Sequence, residues 1–446
     1  MKSTQALISS KKKYMYKILD VLEAEVTVNE NPFALPLDKL FTMAARINKK
    51  RSFLFVSKLI GKHIPINPQK GLLTSALLAA RYYQIITGKK YEQCEELLHS
   101  FLTDKPYSHQ RSFIPETSNP LIIGFAETAT ALGHAFFDCF ERADYFHTTR
   151  EEIRSKSPVI TFEEEHSHAT SHRCYIPKPL IKNDREIILV DDELTTGKTA
   201  LNIIQSIHSH FPRKKYSVIS ILDWRSEENK QEFKQLEASL GIKIEVISLI
   251  SGSVKIKQLK ELPKSQVEKQ PISIEEPKLE ILSLPTHYSE IIPSYIKETG
   301  RFGIGSYEKP PIYQKINQTA GYLSEKRTGN KALCLGTGEF MYIPMIIASE
   351  MGEGVSFQST TRSPIYISNE KNYGVRFGAS FPNPEDLTVS HFVYNIPANY
   401  YDDLFLFFER EVDDDNLEGI LEALKFTQIK SIKIVFFAKK EVSVCE

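Results

Sequence analysis

A chain of 446 residues can hold two or three domains, each with a buried core. Hydrophobic residues make up 41% and charged residues 25%, as in ordinary soluble globular proteins, and 56 basic against 56 acidic side chains leave no overall basic field to recruit nucleic acid. The five cysteines include no CxxC pair, which argues against a disulfide scaffold or zinc ribbon and fits a reducing cytoplasm, and no apolar run reaches the roughly 18 residues of a membrane span.

At the amino end, Lys11-Lys12-Lys13 is followed by residues too polar for a signal-peptide core. Ile18-Leu19-Asp20-Val21-Leu22 and Val26-Thr27-Val28 read as strands, before Pro32 and Pro36 break the pattern. The spacing of Leu37, Leu40, Phe41, Ala44 and Ala45 predicts a helix; a strand over Ser52 to Ser57 and a Leu- and Ala-rich helix from Leu72 to Tyr83 follow.

Leu121 to Ile123 is an apolar strand that ends in a small-residue turn, Gly124-Phe125-Ala126-Glu127-Thr128, with a helix expected to begin near Thr128. Unpaired N–H groups and the dipole at a helix amino end favour an anion, so this turn is a candidate cradle. Glu127 would repel an anion there, so it is expected to reach Mg²⁺, a ribose hydroxyl or an acceptor; the plainer alternative is an acid complementing the helix dipole. Thr148-Thr149-Arg150 falls where the next strand should end, and Arg150 is either a planar fork for anion oxygens or a surface arginine.

Between Phe162 and His172 lies a polar loop that carries three histidines. His166 or His168 can act as a proton donor or hold an anion when charged, and Glu164 or Glu165 can serve as a base. The competing readings are a solvated loop and a metal cluster, the latter lacking a second ligand group of matching spacing.

Ile187-Ile188-Leu189-Val190 suits a strand buried on both faces, and Ala200, Leu201, Ile203, Ile204 and Ile207 have the spacing of a helix face. Between them stands Asp191-Asp192-Glu193-Leu194-Thr195-Thr196-Gly197-Lys198-Thr199. Two carboxylates just before an anion cradle would repel bare phosphate, but they suit a sugar phosphate whose ribose hydroxyls donate to Asp191 and Asp192. Thr195, Thr196 and Thr199 add hydroxyl donors to that phosphate, and Gly197 lets the backbone come close. A nucleotide-binding P-loop would need a glycine five residues before Gly197, and position 192 is Asp.

Two further strands, Ser217 to Leu222 and Ile242 to Ile247, flank a polar helix, and the repeated alternation predicts a parallel, doubly wound sheet. From about Ser251 to Pro285 the composition turns to Lys, Glu, Pro and Ser without periodicity, the mark of a linker or a poorly ordered excursion. Beyond it, Ala332 to Phe340 again reads as strand, small-residue turn and acid. Gly124 and Gly336, Glu127 and Glu339, Thr148 and Thr360, Thr149 and Thr361, and Arg150 and Arg362 all share one offset of 212 residues, so a related unit is expected. The strand Leu404 to Phe408 ends in Glu409-Arg410-Glu411 with no threonine-glycine loop, which leaves Gly336, Gly338, Glu339 and Arg362 as a second-lobe anion candidate. Asp413-Asp414-Asp415 reads as a solvated helix start.

Gly124 to Ala129, the His166-Ser167-His168 loop, Asp191 to Thr199 and Thr360-Thr361-Arg362-Ser363-Pro364 together resemble a bacterial family. It is the orotate phosphoribosyltransferase-like (type I) family of tellurite-resistance and stress-response gene clusters, with a carboxyl-terminal domain named for its Thr-Arg-Ser-Pro motif. The resemblance implies an α/β fold: a type I parallel sheet with helices on both faces in residues 1–252, with leading elements that form a hood over the acceptor base. A linker over 253–287 and a smaller α/β TRSP-like domain over 288–446 follow, the latter partly echoing the first. It implies a transferase that moves ribose 5-phosphate from phosphoribosyl diphosphate to a nucleobase-like acceptor. The paired acids would hold the ribose, the residues Thr195 to Thr199 the 5-phosphate, and Gly124 to Thr128 with Arg150 the pyrophosphate. Mg²⁺ would come with the substrate, near Asp191, Asp192 and Glu127, and His166, His168 and Glu165 would lie on a mobile catalytic loop. A cytoplasmic homodimer is the default partner state, and a non-catalytic phosphoribosyl diphosphate sensor is the alternative function.

Overall fold

A strand that is apolar on both faces needs cover on each, and the placement of Ile187–Leu194 follows from that need. Ile187 to Val190 are fully buried, between Leu121–Gly124 on one side and Lys215–Asp223 on the other. The computed structural model describes residues 12–47, 52–105, 111–163, 171–263 and 276–440. Its larger sheet has eight strands, in the order Lys12–Ile18, Leu22–Glu30, Lys243–Gln258, Lys215–Asp223, Ile187–Leu194, Leu121–Gly124, Asp144–His147 and Ile304–Gly305. The middle five run parallel, and the outer three are antiparallel to their neighbours.

Helices cover this sheet for local reasons. Lys198–His210 buries Ala200, Leu201, Ile203, Ile204 and Ile207, the five positions its periodicity marks. Pro68–Thr87 starts with a proline at its first turn, capped by Asn67, whose side chain accepts from Gln69 N at 3.0 Å, and it stops at Gly88 with φ 71°. It packs on the Thr130–Asp138 helix and on the strands Lys215–Asp223 and Lys243–Gln258.

Three sequence expectations give way. The strand expected over Ile18 to Leu22 is the turn between Lys12–Ile18 and Leu22–Glu30, with Leu19 and Asp20 at φ 54° and 49°. The helix expected over Leu37 to Ala45 ends at Leu40, and Phe41–Ala45 is a strand paired antiparallel with Phe53–Ser57. The aromatic residues decide this: Phe41 meets Phe55 edge-on at 4.8 Å and Trp224 at 6.3 Å, contacts that a pleated pair supplies. The linker expected over 251–285 is also shorter than its composition implied. Lys243–Gln258 runs on to pair with Leu22–Glu30, with a register shift at Ser251 and Gly252 where an added Cβ would collide with the Thr27 carbonyl. Lys278–Leu282 is likewise a strand, so only the stretch between carries no described pairing. Lysines and glutamates recur there because much of each strand faces solvent, and in Lys278–Leu282 all but Leu282 are exposed.

The second sheet has five parallel strands in the order Lys278–Leu282, Ser431–Ala438, Asp403–Arg410, Ala332–Gly336 and Val355–Ser359. It repeats, place for place, the parallel core of the first sheet. Only the outermost strand differs in origin: it comes last in the first lobe and first in the second. The lobes share one core, in which Phe340, Met341, Ile346 and Phe357 lie with Leu73, Leu77, Ile123 and Leu132. The ring of Tyr342 stacks on His134 at 3.6 Å, and its hydroxyl donates to Asp138.

A fragment of residues 1–263 made alone should therefore expose the face that the Tyr342–Glu350 helix covers. It is expected to aggregate or bind a hydrophobic dye, and to be rescued by co-expression with 276–446. A soluble fragment with the full chain's melting behaviour would count against a shared core.

Candidate functional site

At the carboxyl end of the central strand, Asp191, Asp192 and Glu193 are half-buried, and Asp192 N donates to Asp191 Oδ1 at 2.9 Å. Thr195 and Thr196 form a bend, and Gly197, at φ 79°, delivers the chain into the helix that begins at Lys198. Thr196 Oγ1 accepts from Lys198 N at 3.3 Å, and Thr199 stands half-buried in the helix's first turn. The two acids and the threonine-glycine turn thus meet at one strand end and one helix start, where N–H groups converge. Gly197 is needed for the chain itself: an added Cβ would lie 2.6 Å from the Phe233 ring, against which Arg225 packs at 4.3 Å.

The neighbouring turn differs from a row of free amides. Phe125 N donates to the Val190 carbonyl at 3.1 Å and Ala126 N to Thr148 Oγ1 at 2.9 Å, so these two donors are engaged within the protein. Phe125 is a buried core ring, and its expected pyrophosphate role is corrected accordingly. Gly124 is required because an added Cβ would press on the Ala129 carbonyl and the Tyr145 hydroxyl, each at 2.9 Å. The helix starts at Thr130, two residues later than expected, which leaves Thr128 half-buried in the turn.

Glu127 is the largest correction. Its carboxylate is buried, ion-paired with the buried Lys62, and its Oε2 lies 3.7 Å from both Arg150 Nη1 and Arg362 Nε. Burial alone would raise its pKa, but Lys62, with His391, Arg150 and Arg362, holds it down at about 2. A carboxylate so surrounded serves its cations and not a metal or a ribose. Burial lowers Lys62 in turn, yet Glu127 beside it favours the charged pair.

His166, His168 and Glu165 lie outside the described residues. Their flanks, Ile160–Glu163 and Ser171–Cys174, form an antiparallel hairpin fastened to the strand end: Thr149 N donates to Arg173 O at 2.9 Å, and Thr148 Oγ1 is 2.9 Å from His172 Nδ1. The second lobe repeats this fastening, with Thr361 N donating to Phe392 O at 3.0 Å and Thr360 Oγ1 3.0 Å from His391 Nδ1.

The repeat reaches the Ile187–Leu194 strand as well. Ile123 stands beside Leu189 and Leu335 beside Leu406, so that strand and its counterpart are offset by 217 residues. Asp191 and Asp192 therefore correspond to Phe408 and Glu409, and Thr195 and Thr196 to Val412 and Asp413. Glu409 is already occupied: Arg301 Nη1 donates to it at 2.6 Å and Ile296 N at 3.2 Å, while Tyr295 OH donates to Glu151 Oε2 at 2.9 Å. Glu409 is thus engaged within the chain, a cavity lined by Tyr295, Glu385, Arg410 and Lys440 remains beside it, and an exposed acid at Asp413 stands where a phosphate donor would be needed. The expected second-lobe anion site is corrected for the same reason. Gly338 N donates to Thr360 Oγ1 at 2.9 Å, and Glu339 accepts from Thr149 Oγ1 at 2.6 Å and Arg150 N at 2.8 Å. Gly336 is packed against the Phe340 carbonyl, and Arg362 reaches the first lobe's Glu127.

Residues 40–253 match the model of a phosphoribosyl transferase family. Residues 298–424 match the TRSP domain that stands carboxyl-terminal to it, and the chain belongs to this family of paired domains. No curated protein matches the chain. Solved structures similar to it include an adenine phosphoribosyl transferase from Trypanosoma brucei in complex with AMP, pyrophosphate and ribose-5-phosphate. That likeness has 11% identity and a TM-score of 0.32, over 50% of this chain and 82% of that one. An adenine phosphoribosyltransferase from Leishmania donovani has 18% identity and a TM-score of 0.25, over 38% and 68%. An orotate phosphoribosyltransferase from Aeropyrum pernix has 12% identity and a TM-score of 0.18, over 29% and 59%. At these scores the family match, and not the structural likeness, carries the assignment.

Lys62, Glu151 and Arg301 belong to the site's surroundings without any sequence motif to announce them; only the shared offset hinted that Glu127 and Glu339 are paired features. Replacing Glu127 by Gln strands the buried Lys62 charge and should cost about 3–5 kcal/mol in denaturant unfolding at pH 7. Because the folded-state pKa of Glu127 is depressed, its contribution is present above about 4.5 and is lost as pH falls toward 2. The gap between wild type and Glu127→Gln should thus narrow in acid; a gap independent of pH would contradict the ion-pair account. Gly197→Ala should cost about 1–2 kcal/mol from its positive φ alone, read by the same unfolding assay.

Proposed function

We propose that the first lobe binds phosphoribosyl diphosphate together with Mg²⁺ and transfers its ribose 5-phosphate to a nitrogenous, nucleobase-like acceptor. The observation that carries this reading is the junction of half-buried Asp191 and Asp192 with the Thr195-Thr196-Gly197 turn at a helix amino end. Acids there accept from ribose hydroxyls, and the turn and helix donate to the 5-phosphate. In the transfer, the bond from C1 to the diphosphate oxygen breaks, a bond from C1 to the acceptor nitrogen forms, and that nitrogen's proton passes to a base. Positive charge grows on the sugar beside the two aspartates, and negative charge on the leaving diphosphate near Arg150.

Among the described residues no group of three or more histidine, cysteine, aspartate or glutamate side chains is placed to hold a metal ion. Asp191 and Asp192 would thus share Mg²⁺ with the substrate, where the ion would neutralise charge on the diphosphate. Glu165, His166 and His168 keep their place in the proposal as acid and base candidates. The cytoplasmic setting, the homodimer and the tie to tellurite resistance and stress response rest on the family resemblance. Among the described residues no helix is long and apolar enough to cross a membrane.

The engagement of Glu409 by Arg301 in the second lobe favours one alternative, a sensor of phosphoribosyl diphosphate in which the second lobe is the output. Calorimetric titration with Mg²⁺ tests the common part. Phosphoribosyl diphosphate should bind the wild type, and Asp191→Asn/Asp192→Asn should weaken it by at least about 100-fold, given about 1.5–3 kcal/mol for each charge-assisted hydrogen bond. Equal affinities in both proteins would overturn the site assignment. Radiolabel passing from the ribose to a nucleobase separates the transferase from the sensor.

A further inference from the structure

The cavity beside Glu409 stands, on the repeated framework, where the first lobe has its acids and threonine-glycine turn: at the carboxyl end of Asp403–Arg410 and the start of the Asp414–Leu424 helix. It measures about 220 Å³, and it is walled by that junction, by Ser294 and Tyr295, by the turn between Gly378–Asn383 and Asp386–Tyr394, and by Lys440. Around its buried end three carboxylates, Glu151, Glu385 and Glu409, share two guanidinium groups. Arg301 donates to Glu409 at 2.6 Å and Arg410 to Glu151 at 3.0 Å, and both guanidinium groups lie over the Tyr295 ring. Glu339, 3.8 Å from Arg301, adds a fourth acid, answered by Thr149 and the Arg150 amide. Glu385 is left over. Its side chain is 8% exposed, Arg410 Nε lies 3.4 Å away, and its Oε1 is buried without a hydrogen-bond partner among the described residues. Burial pushes the Glu385 and Glu409 carboxyls above the usual carboxylate range, as a shortage of cations requires. The mouth repeats the imbalance: exposed Asp413 pairs with exposed Lys440, and the exposed Glu411 adds a second acid.

We propose that this cavity binds a small aliphatic diamine, one ammonium group donating to Glu385 and the other to Glu411 at the mouth. An anion is the wrong ligand here. Glu411 and Asp413 precede the helix and Asp414 and Asp415 occupy its first turn, so the field that would draw a phosphate is cancelled. Among the described residues no group of such side chains is placed to hold a metal ion, whereas an ammonium group brings three N–H donors and needs only acceptors within hydrogen-bond reach. Pro384 and Val412 give the carbon stem an apolar wall between the two acids. The site does not depend on the phosphoribosyl diphosphate reading, and it gives the second lobe a ligand of its own.

Equilibrium dialysis of radiolabelled putrescine against the full chain tests this, with inorganic phosphate as competitor at constant ionic strength. Glu385→Gln, which removes the charge and keeps the shape, should weaken putrescine by about tenfold or more. Glu411→Lys, on the exposed mouth, should also weaken it, and it serves if the glutamine variant does not fold. Only the ionised Glu385 attracts a cation, so wild-type affinity should rise as pH rises through about 7, and Glu385→Gln should lose that dependence. The Asp191→Asn/Asp192→Asn variant should bind putrescine as wild type does. Three results would each overturn the site: no binding to wild type, an affinity that neither Glu385→Gln nor Glu411→Lys changes, and a loss in the Asp191→Asn/Asp192→Asn variant, which would put the amine in the first lobe. Displacement of putrescine by phosphate would overturn it as well, by marking the cavity as an anion site.

Discussion

Two carboxylates crossing between lobes hold this molecule in its arrangement. Glu127 leaves the first lobe's turn to meet Arg362 of the second, and Glu339 leaves the second lobe's turn to meet Thr149 and Arg150 of the first. A buried charge without partners is costly, and each carboxylate draws on both lobes, Glu127 on Lys62 and Arg362 and Glu339 on Arg301 and Thr149. The stacking of Tyr342 on His134 and the common apolar core follow from the same face-to-face approach. What two subunits would do across a two-fold axis, two halves of one chain do here without identical sequences.

The lobes put different side-chain chemistry on a single framework. Strand order, the fastening of the hairpin by a threonine and a histidine, and the turn after the first strand are retained in both. At the end of the central strand the chemistry parts. The first lobe keeps two acids followed by small hydroxyl residues, whereas the second has Phe408 and Glu409 followed by Val412 and Asp413. Glu409, buried and pushed above the usual carboxylate pKa by desolvation, is answered by Arg301 and not by a sugar hydroxyl.

The parts of this organisation visible in sequence were those with local causes. Ile187 to Val190 and the helix face of Ala200 to Ile207 declare themselves by periodicity, and the Asp-Asp and Thr-Thr-Gly letters by spacing. Phe41–Ala45 misled because its alternation is too short to outweigh a helical spacing, and the deciding contacts with Phe55 and Trp224 come from distant strands. The second-lobe echo was traceable only while the offset stayed at 212; it shifts to 217 at the ribose strand because the intervening loops differ in length. Glu127 was misread because the letters of a turn do not say what lies across an interface. Lys62 and Arg362, far from it in sequence, determine its role.

The origin of the outermost strand in the second sheet bears on how the chain is built in time. Lys278–Leu282 has no sheet partner other than Ser431–Ala438, and its Leu279 and Ile281 side chains are exposed even in the finished structure. During synthesis this strand leaves the ribosome long before its partner, and its edge must wait, unpaired, for nearly the whole lobe to follow. The first sheet's parallel core, in contrast, is complete once Gln258 has emerged. Synthesis therefore proceeds from a first lobe that can pair its strands early to a second that closes late. The glutamates and lysines around Lys278 are of the kind that guard an edge against a neighbour's strand, and this strand is still an edge in the finished sheet.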